Sequence, residues 1–149
     1  MKSVFEKSVR QELCNRIGQL NESTSAAWGK MNVSQMISHN ILWNQMALCK
    51  TKHKQVFIGR LFGKMALRSM IKNEKPIQRN MPTLPELRVS ATSADFDALK
   101  KQWVESTEEF GLLTNDHKFI HSFFGKLNKE QTGLLAYKHI DHHLRQFGV

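Results

Sequence analysis

A chain of 149 residues with 40% hydrophobic and 23% charged residues is too apolar for a disordered tail and long enough to bury one core. Its formal net charge of +9 raises acidic small molecules and nucleic acid as partners. Two cysteines, Cys14 and Cys49, are too few and too far apart for a disulfide framework or a Cys-x-x-Cys zinc site, so both read as ordinary buried or half-buried thiols.

No apolar run approaches the roughly 20 residues that cross a bilayer, and the opening MKSVFEKSVRQEL lacks the apolar stretch of a signal peptide. A cytoplasmic protein with no membrane partner is expected, as one domain over 1–149.

Helical periodicity dominates, with no sustained alternation of period two. The first helix is expected from about Ser3 to Leu20, on a stripe carrying Val9, Leu13 and Ile17. Asn32, followed three positions later by Gln35, is a capping-box start for the second helix, whose broad inner face takes in Met36, His39, Asn40, Trp43 and Met46. A third, less regular helical segment follows from Val56 to Ile71, interrupted by Gly59 and Gly63, with Phe57 and Phe62 expected in the core.

Pro76, Pro82 and Pro85 break the next stretch into a long crossing segment. Another helix is expected from near Ser93 to Gly111, carrying Phe96, Leu99 and Trp103, and a loop from Leu112 to Lys126. Asn128 and Gln131 then cap the last helix, along which Leu135, Ala136, His139, Ile140, His143 and Phe147 share a face. The layout predicts an all-α fold: a four-helix bundle with a long crossover and a short extra helix.

His139 and His143 stand one helical turn apart, which puts both rings on one face within reach of a common metal. Two imidazoles aimed at a core need two separate polar partners if no metal satisfies them together. His39, from a facing helix, would complete three protein ligands and leave a position for water or substrate. A lone core histidine is more often hydrogen-bonded than ligating, and His-x-x-x-His also arises by chance in a chain with seven histidines. His142 projects toward the edge of the same face and reads as flanking, while His53, His117 and His121 read as loop or helix-end residues; His121, which precedes the last helix, could reach the mouth of the site, but a solvated position is expected for it. No Glu follows the first histidine of the pair, and neither Gly-x-Ser-x-Gly nor a phosphate-binding Gly-Lys-Ser/Thr is present.

The segment from Trp28-Gly29-Lys30-Met31 through Ser34-Gln35-Met36-Ile37-Ser38-His39 resembles the start of the second helix in DinB/YfiT-like proteins. The closing string from Tyr137 through His139, His142 and His143 to Gly148 resembles their last helix, especially in a domain-of-unknown-function branch of that superfamily. His121-Ser122-Phe123-Phe124-Gly125-Lys126-Leu127 is similar to the same branch, which commonly has Pro where Ser122 stands. The resemblance spans nearly the whole chain. It implies a bundle in up-down-down-up order with a bound divalent metal, and carries the family's three-histidine pattern onto His39, His139 and His143. Characterised relatives include thiol-dependent transferases and isomerases, so the resemblance allows a thiol S-transferase without fixing an activity.

Zinc or nickel on three histidines would acidify either a low-molecular-weight thiol, giving a nucleophile for transfer, or a water, giving a hydrolase. A non-enzymatic, metal-stabilised binding or stress-response module is the remaining alternative. Between Lys50 and Arg79 stand nine Lys and Arg residues and one acid, Glu74, with Arg60, Lys64, Arg68 and Lys72 recurring every fourth residue. This stripe reads as a solvated face or as a positive rim for the carboxylates of a thiol. Nucleic acid is disfavoured because aromatics do not interleave with the cations. Exposed Met and Phe would allow a homodimer.

Overall fold

The two capping boxes form as the sequence predicts and fix the starts of the two helices that carry the histidines. The computed structural model describes residues 1–90 and 95–149. Helix α1 spans Lys7–Gly18 and α2 spans Val33–Ala47. At the head of α2 the Asn32 side chain accepts from the Gln35 N–H at 2.8 Å and Gln35 Oε1 accepts from the Asn32 N–H at 3.0 Å. Helix α3 spans Phe57–Ile71, α4 spans Phe96–Glu108 and α5 spans Lys129–Gln146. At α5 the same box joins Asn128 and Gln131, at 2.9 and 3.1 Å, so two of each helix's orphan N-terminal donors are satisfied locally.

Two expectations change, and a third falls outside the described residues. Ser3–Glu6 is a turn, closed by a Glu6 N–H bond to Ser3 O at 3.0 Å, so α1 starts later than Ser3. Its Val4 is nonetheless fully buried. Helix α4 is capped by Asp95, which accepts from the Ala98 N–H at 2.9 Å, and the expected start near Ser93 lies outside the described residues. The stretch expected as a loop contains two strands, β1 (Lys118–His121) and β2 (Gly125–Asn128). They pair antiparallel with Phe119 opposite Leu127. Four residues per strand are too few to register as alternation, but the pattern is there: Phe119 and His121 face inward while Lys118 and Ile120 face out. Gly125 supplies the positive φ of 80° that the connection requires.

Five α-helices are present among the described residues, rather than four and a short extra one, because α3 at 15 residues is as long as α2. Helices α1 and α2 each pack on both α4 and α5, while α3 packs on α5 and β2. The core between them is built from Leu13 and Ile17 of α1, Met36 and Trp43 of α2, Trp103 of α4 and Ile140 of α5, all at most 2% exposed. Helix α5 touches α1, α2, α3 and both strands, and even its Lys138 and Asp141 are buried. Lys138 Nζ donates to Met70 O at 2.5 Å and Asn73 O at 2.8 Å, capping the C-terminal end of α3. Asp141 accepts from Arg16 at 2.8 Å and Arg145 at 2.7 Å.

The glycines of α3 are contact points rather than interruptions. Gly59, Gly63 and Leu67 form its buried face, and both glycines lie against the backbone carbonyl of Phe123 in the β1–β2 turn. This orientation corrects the expectation for Phe57 and Phe62, which are 75% and 49% exposed. The close approach needs hydrogen rather than a side chain on the inner face, so the large apolar residues face outward. The thiols also divide: Cys14 is half-buried, with its pKa pushed up to about 12 chiefly by burial, whereas Cys49 is exposed.

Gly63→Ala is expected to lower stability by about 1–3 kcal/mol, because the new methyl meets a carbonyl that cannot swing aside. Gly18→Ala, with nothing near its Cβ position, is the control. Urea midpoints for both variants read the contrast, and equal midpoints would contradict the close packing of α3 on the hairpin turn.

Candidate metal centre

The inner faces of α2 and α5 bring His39, His139 and His143 together. One nitrogen from each ring lies within 4.8 Å of the other two. Ring centroids are 5.1 Å apart for His39 and His139, 4.8 Å for His39 and His143, and 4.8 Å for His139 and His143. This is the trio expected from helix spacing. His39 and His143 are buried, while His139 keeps part of its surface open.

The outer contacts fix the tautomers of two rings. His39 Nδ1 lies 2.9 Å from the Leu87 carbonyl, which only accepts, so Nδ1 carries the proton and Nε2 presents a lone pair. Leu87 reaches that position through a 3-10 turn at Pro85–Leu87 in the crossing segment. His143 Nδ1 lies 2.8 Å from Gln146 Oε1. The Gln146 amide is oriented by its own Nε2, which donates to Trp28 O at 2.8 Å, so its oxygen faces the imidazole and His143 also bears its proton on Nδ1. Room for that amide depends on Gly29, where a Cβ would stand 2.5 Å from Gln146 Nε2.

His139 is held differently. Its ring stacks on Trp43 at 4.7 Å and 15°, and its Nε2 lies 3.1 Å from His39 Nε2. Its Nδ1 is buried without a hydrogen-bond partner among the described residues. The cluster therefore presents more inward lone pairs than protons to share among them, a donor set compatible with a divalent cation and not satisfied by protein groups among the described residues. Burial pushes the pKa of all three histidines down, for His139 well below its ordinary value and for His143 to about 3. Their mutual proximity adds to this for His139 and His143, since a charge on one ring opposes a charge on the next. All three are thus neutral near pH 7, the form that ligates.

The other four histidines stand outside this trio. His142 is half-buried with its ring 5.9 Å from Trp28, the flanking position expected of it. His53 sits 3.8 Å from Glu86 Oε1. His117 is half-buried and its Nε2–H donates to Ala47 O at 2.9 Å. His121, expected to be solvated, is buried. Its Nδ1 accepts from the Phe123 and Phe124 N–H groups, both at 3.1 Å, and burial lowers its pKa to about 4. It organises the hairpin turn on which α3 rests. Leu87, Gln146 and Gly29 escaped the sequence reading. Of these only Gln146, three residues beyond His143 on the same helix, carried a usable signal.

A family model described as a protein of unknown function (DUF1569) matches residues 5–148. No curated protein and no solved structure matches the chain.

The depressed histidines set a pH dependence for the metal-free protein. His143 titrates near 6.5 when unfolded and near 3 when folded, so between those limits the unfolded chain binds more protons and acidification destabilises the fold. Stability is expected to fall from about pH 6.5 downward, by roughly 1.4 kcal/mol per pH unit from this one group. Denaturant midpoints at about pH 7.5 and 5 measure it, and no loss on acidification would refute the buried neutral state.

Proposed function

The chain belongs to the DUF1569 family, and we propose that it is a divalent-metal protein in which His39, His139 and His143 are the ligands. In this reading α1, α2, α4 and α5 form a single DinB/YfiT-like four-helix domain over the whole chain, and the metal serves thiol-dependent group transfer. The observation that carries the proposal is the pair of fixed outer nitrogens. Leu87 O and Gln146 each hold an Nδ1–H, so two lone pairs point inward beside a third imidazole. Histidines that ligate metals are oriented in this way by their second ring nitrogen. The closed set of contacts among α1, α2, α4 and α5 supports the bundle, as does the resemblance of the C-terminal string.

Three neutral imidazoles suit zinc or nickel among divalent ions. A cation held there would acidify a thiol or water taking a further position. The chain itself contributes alignment and dryness. The Leu87 carbonyl and the Gln146 amide hold two rings in one tautomer, and the stacked indole of Trp43 covers a face of His139. A cation also flanks the cluster: Arg79 lies 4.0 Å over the Trp28 ring, and that ring lies 5.9 Å from His142. Low-molecular-weight thiols carry carboxylates, and this arrangement favours a thiol over water as the activated group.

Elemental analysis of tag-free protein is expected to find near-stoichiometric zinc or nickel. The metal should be lost in a His39→Ala/His139→Ala/His143→Ala variant and kept in His142→Ala. Equal loss from His142→Ala would sink the ligand set. With the metal bound, free thiol should disappear when an electrophile is added. Hydrolysis of the same electrophile without thiol consumption would instead make water the nucleophile.

Gln146→Leu should weaken metal affinity about 10- to 100-fold, because it frees the outer nitrogen of His143, and far-UV circular dichroism checks that the variant remains folded. Competition with a chromogenic chelator measures this, and unchanged affinity would remove Gln146 from its orienting role.

A further inference from the structure

Helix α3 presents a face that nothing among the described residues covers. At about 100° per residue, Gly59, Gly63 and Leu67 define its inner side, and Phe57, Ile58, Leu61, Phe62 and Met65 lie on the opposite side. These five apolar side chains are between 49% and 75% exposed, and no hydrogen-bonding side chain interrupts them. A contiguous patch of this kind reaches or exceeds the few hundred Å² that monomers ordinarily leave open. Arg60 and Lys64 run along one flank, and Arg68 and Lys72 carry the stripe onto the outer side beyond Met65; all four are exposed, and among the described residues none of them makes an ion pair.

We infer that α3 docks this protein onto the surface of an anionic lipid bilayer, with its outer apolar side chains in the headgroup–acyl boundary and its cationic flank on lipid phosphates. The expectation of no membrane partner considered crossing alone, and no described helix is long and apolar enough to cross. A 15-residue helix lying in the plane has no such length requirement. The charge pattern selects the occupant. Nine cations against one acid between Lys50 and Arg79 call for an anionic partner. In an antiparallel two-fold pairing of α3 with a second copy, each flank stays on its own side of the axis. The cationic stripe would then face its own image with no carboxylate between. Protein interfaces carry about one hydrogen bond per 100–200 Å²; the five apolar side chains between Phe57 and Met65 supply none, and a bilayer requires none.

The mounting suits this use. Gly59 and Gly63 seat the helix on the Phe123 carbonyl, and Lys138 ties off its C-terminal end. The helix is therefore formed before it meets lipid, and docking carries no cost of folding it.

The test is co-sedimentation of the full-length, tag-free chain with vesicles. One set contains one-third phosphatidylglycerol in phosphatidylcholine and the other is phosphatidylcholine alone. Binding is expected to the anionic vesicles, to weaken with added salt, and to be at least roughly tenfold weaker on the neutral ones. Phe57→Ser/Leu61→Ser/Met65→Ser should reduce it roughly tenfold or more, and Lys64→Gln/Arg68→Gln about fivefold per cation removed. All five positions are exposed, and far-UV circular dichroism with metal content checks that each variant folds. Equal binding by the apolar variant would overturn the proposal, since the net charge alone would then explain adsorption. Absence of vesicle binding overturns it too. So does a dimer in analytical ultracentrifugation that the apolar variant dissociates, which would assign the face to a second copy.

Discussion

Helix α5 is surrounded, and the fold follows from what a surrounded helix must do with its polar side chains. A helix packed on α1, α2, α3 and a hairpin keeps little solvent face, and its Lys138, Asp141, His143 and Gln146 are all buried. Each must find a partner or carry the cost of an unsatisfied group. Lys138 finds the carbonyls at the end of α3, Asp141 the guanidiniums of Arg16 and Arg145, and Gln146 the carbonyl of Trp28. The polar residues of one helix thereby specify where α1, α3 and the segment before α2 are attached. His143 finds Gln146 with one nitrogen only, and His139 keeps a buried Nδ1 without a partner among the described residues; that is where the candidate site lies.

The same constraint explains what could be read in advance. The caps of α2 and α5 depend on residues three apart and were legible. So was the histidine trio, because helical spacing and a shared apolar face are local properties of His139, His143 and His39. The supports of the trio were not legible. Leu87 acts through a main-chain oxygen, which any residue would supply, and its position is set by a 3-10 turn far along the chain. Gly29 acts by lacking a side chain near Gln146. Nothing in residue type announces either role.

The misreadings of α3 and the hairpin share one cause. Glycine in a helix pattern suggests a break, and large aromatics suggest a core, when each segment is weighed alone. The turn at Phe123 reverses both readings, since close backbone approach demands glycine on the inner side and relegates Phe57 and Phe62 to the outside. His121 is buried rather than solvated for a related reason. Its partners are the two main-chain N–H groups of the turn that follows it, and only a strand of four residues places it inward.

His39 and His139 touch although 100 positions separate them. Synthesis is vectorial, so a nascent chain exposes His39 on α2 long before its companions on α5 leave the ribosome, and helices that pack on α5 wait for it with their apolar sides open. Until then only a single histidine of the trio exists outside the tunnel, a weak ligand for any ion. Assembly of the cluster and closure of the core are consequently one late event, and an ion held by all three rings would be taken up only once α5 has packed.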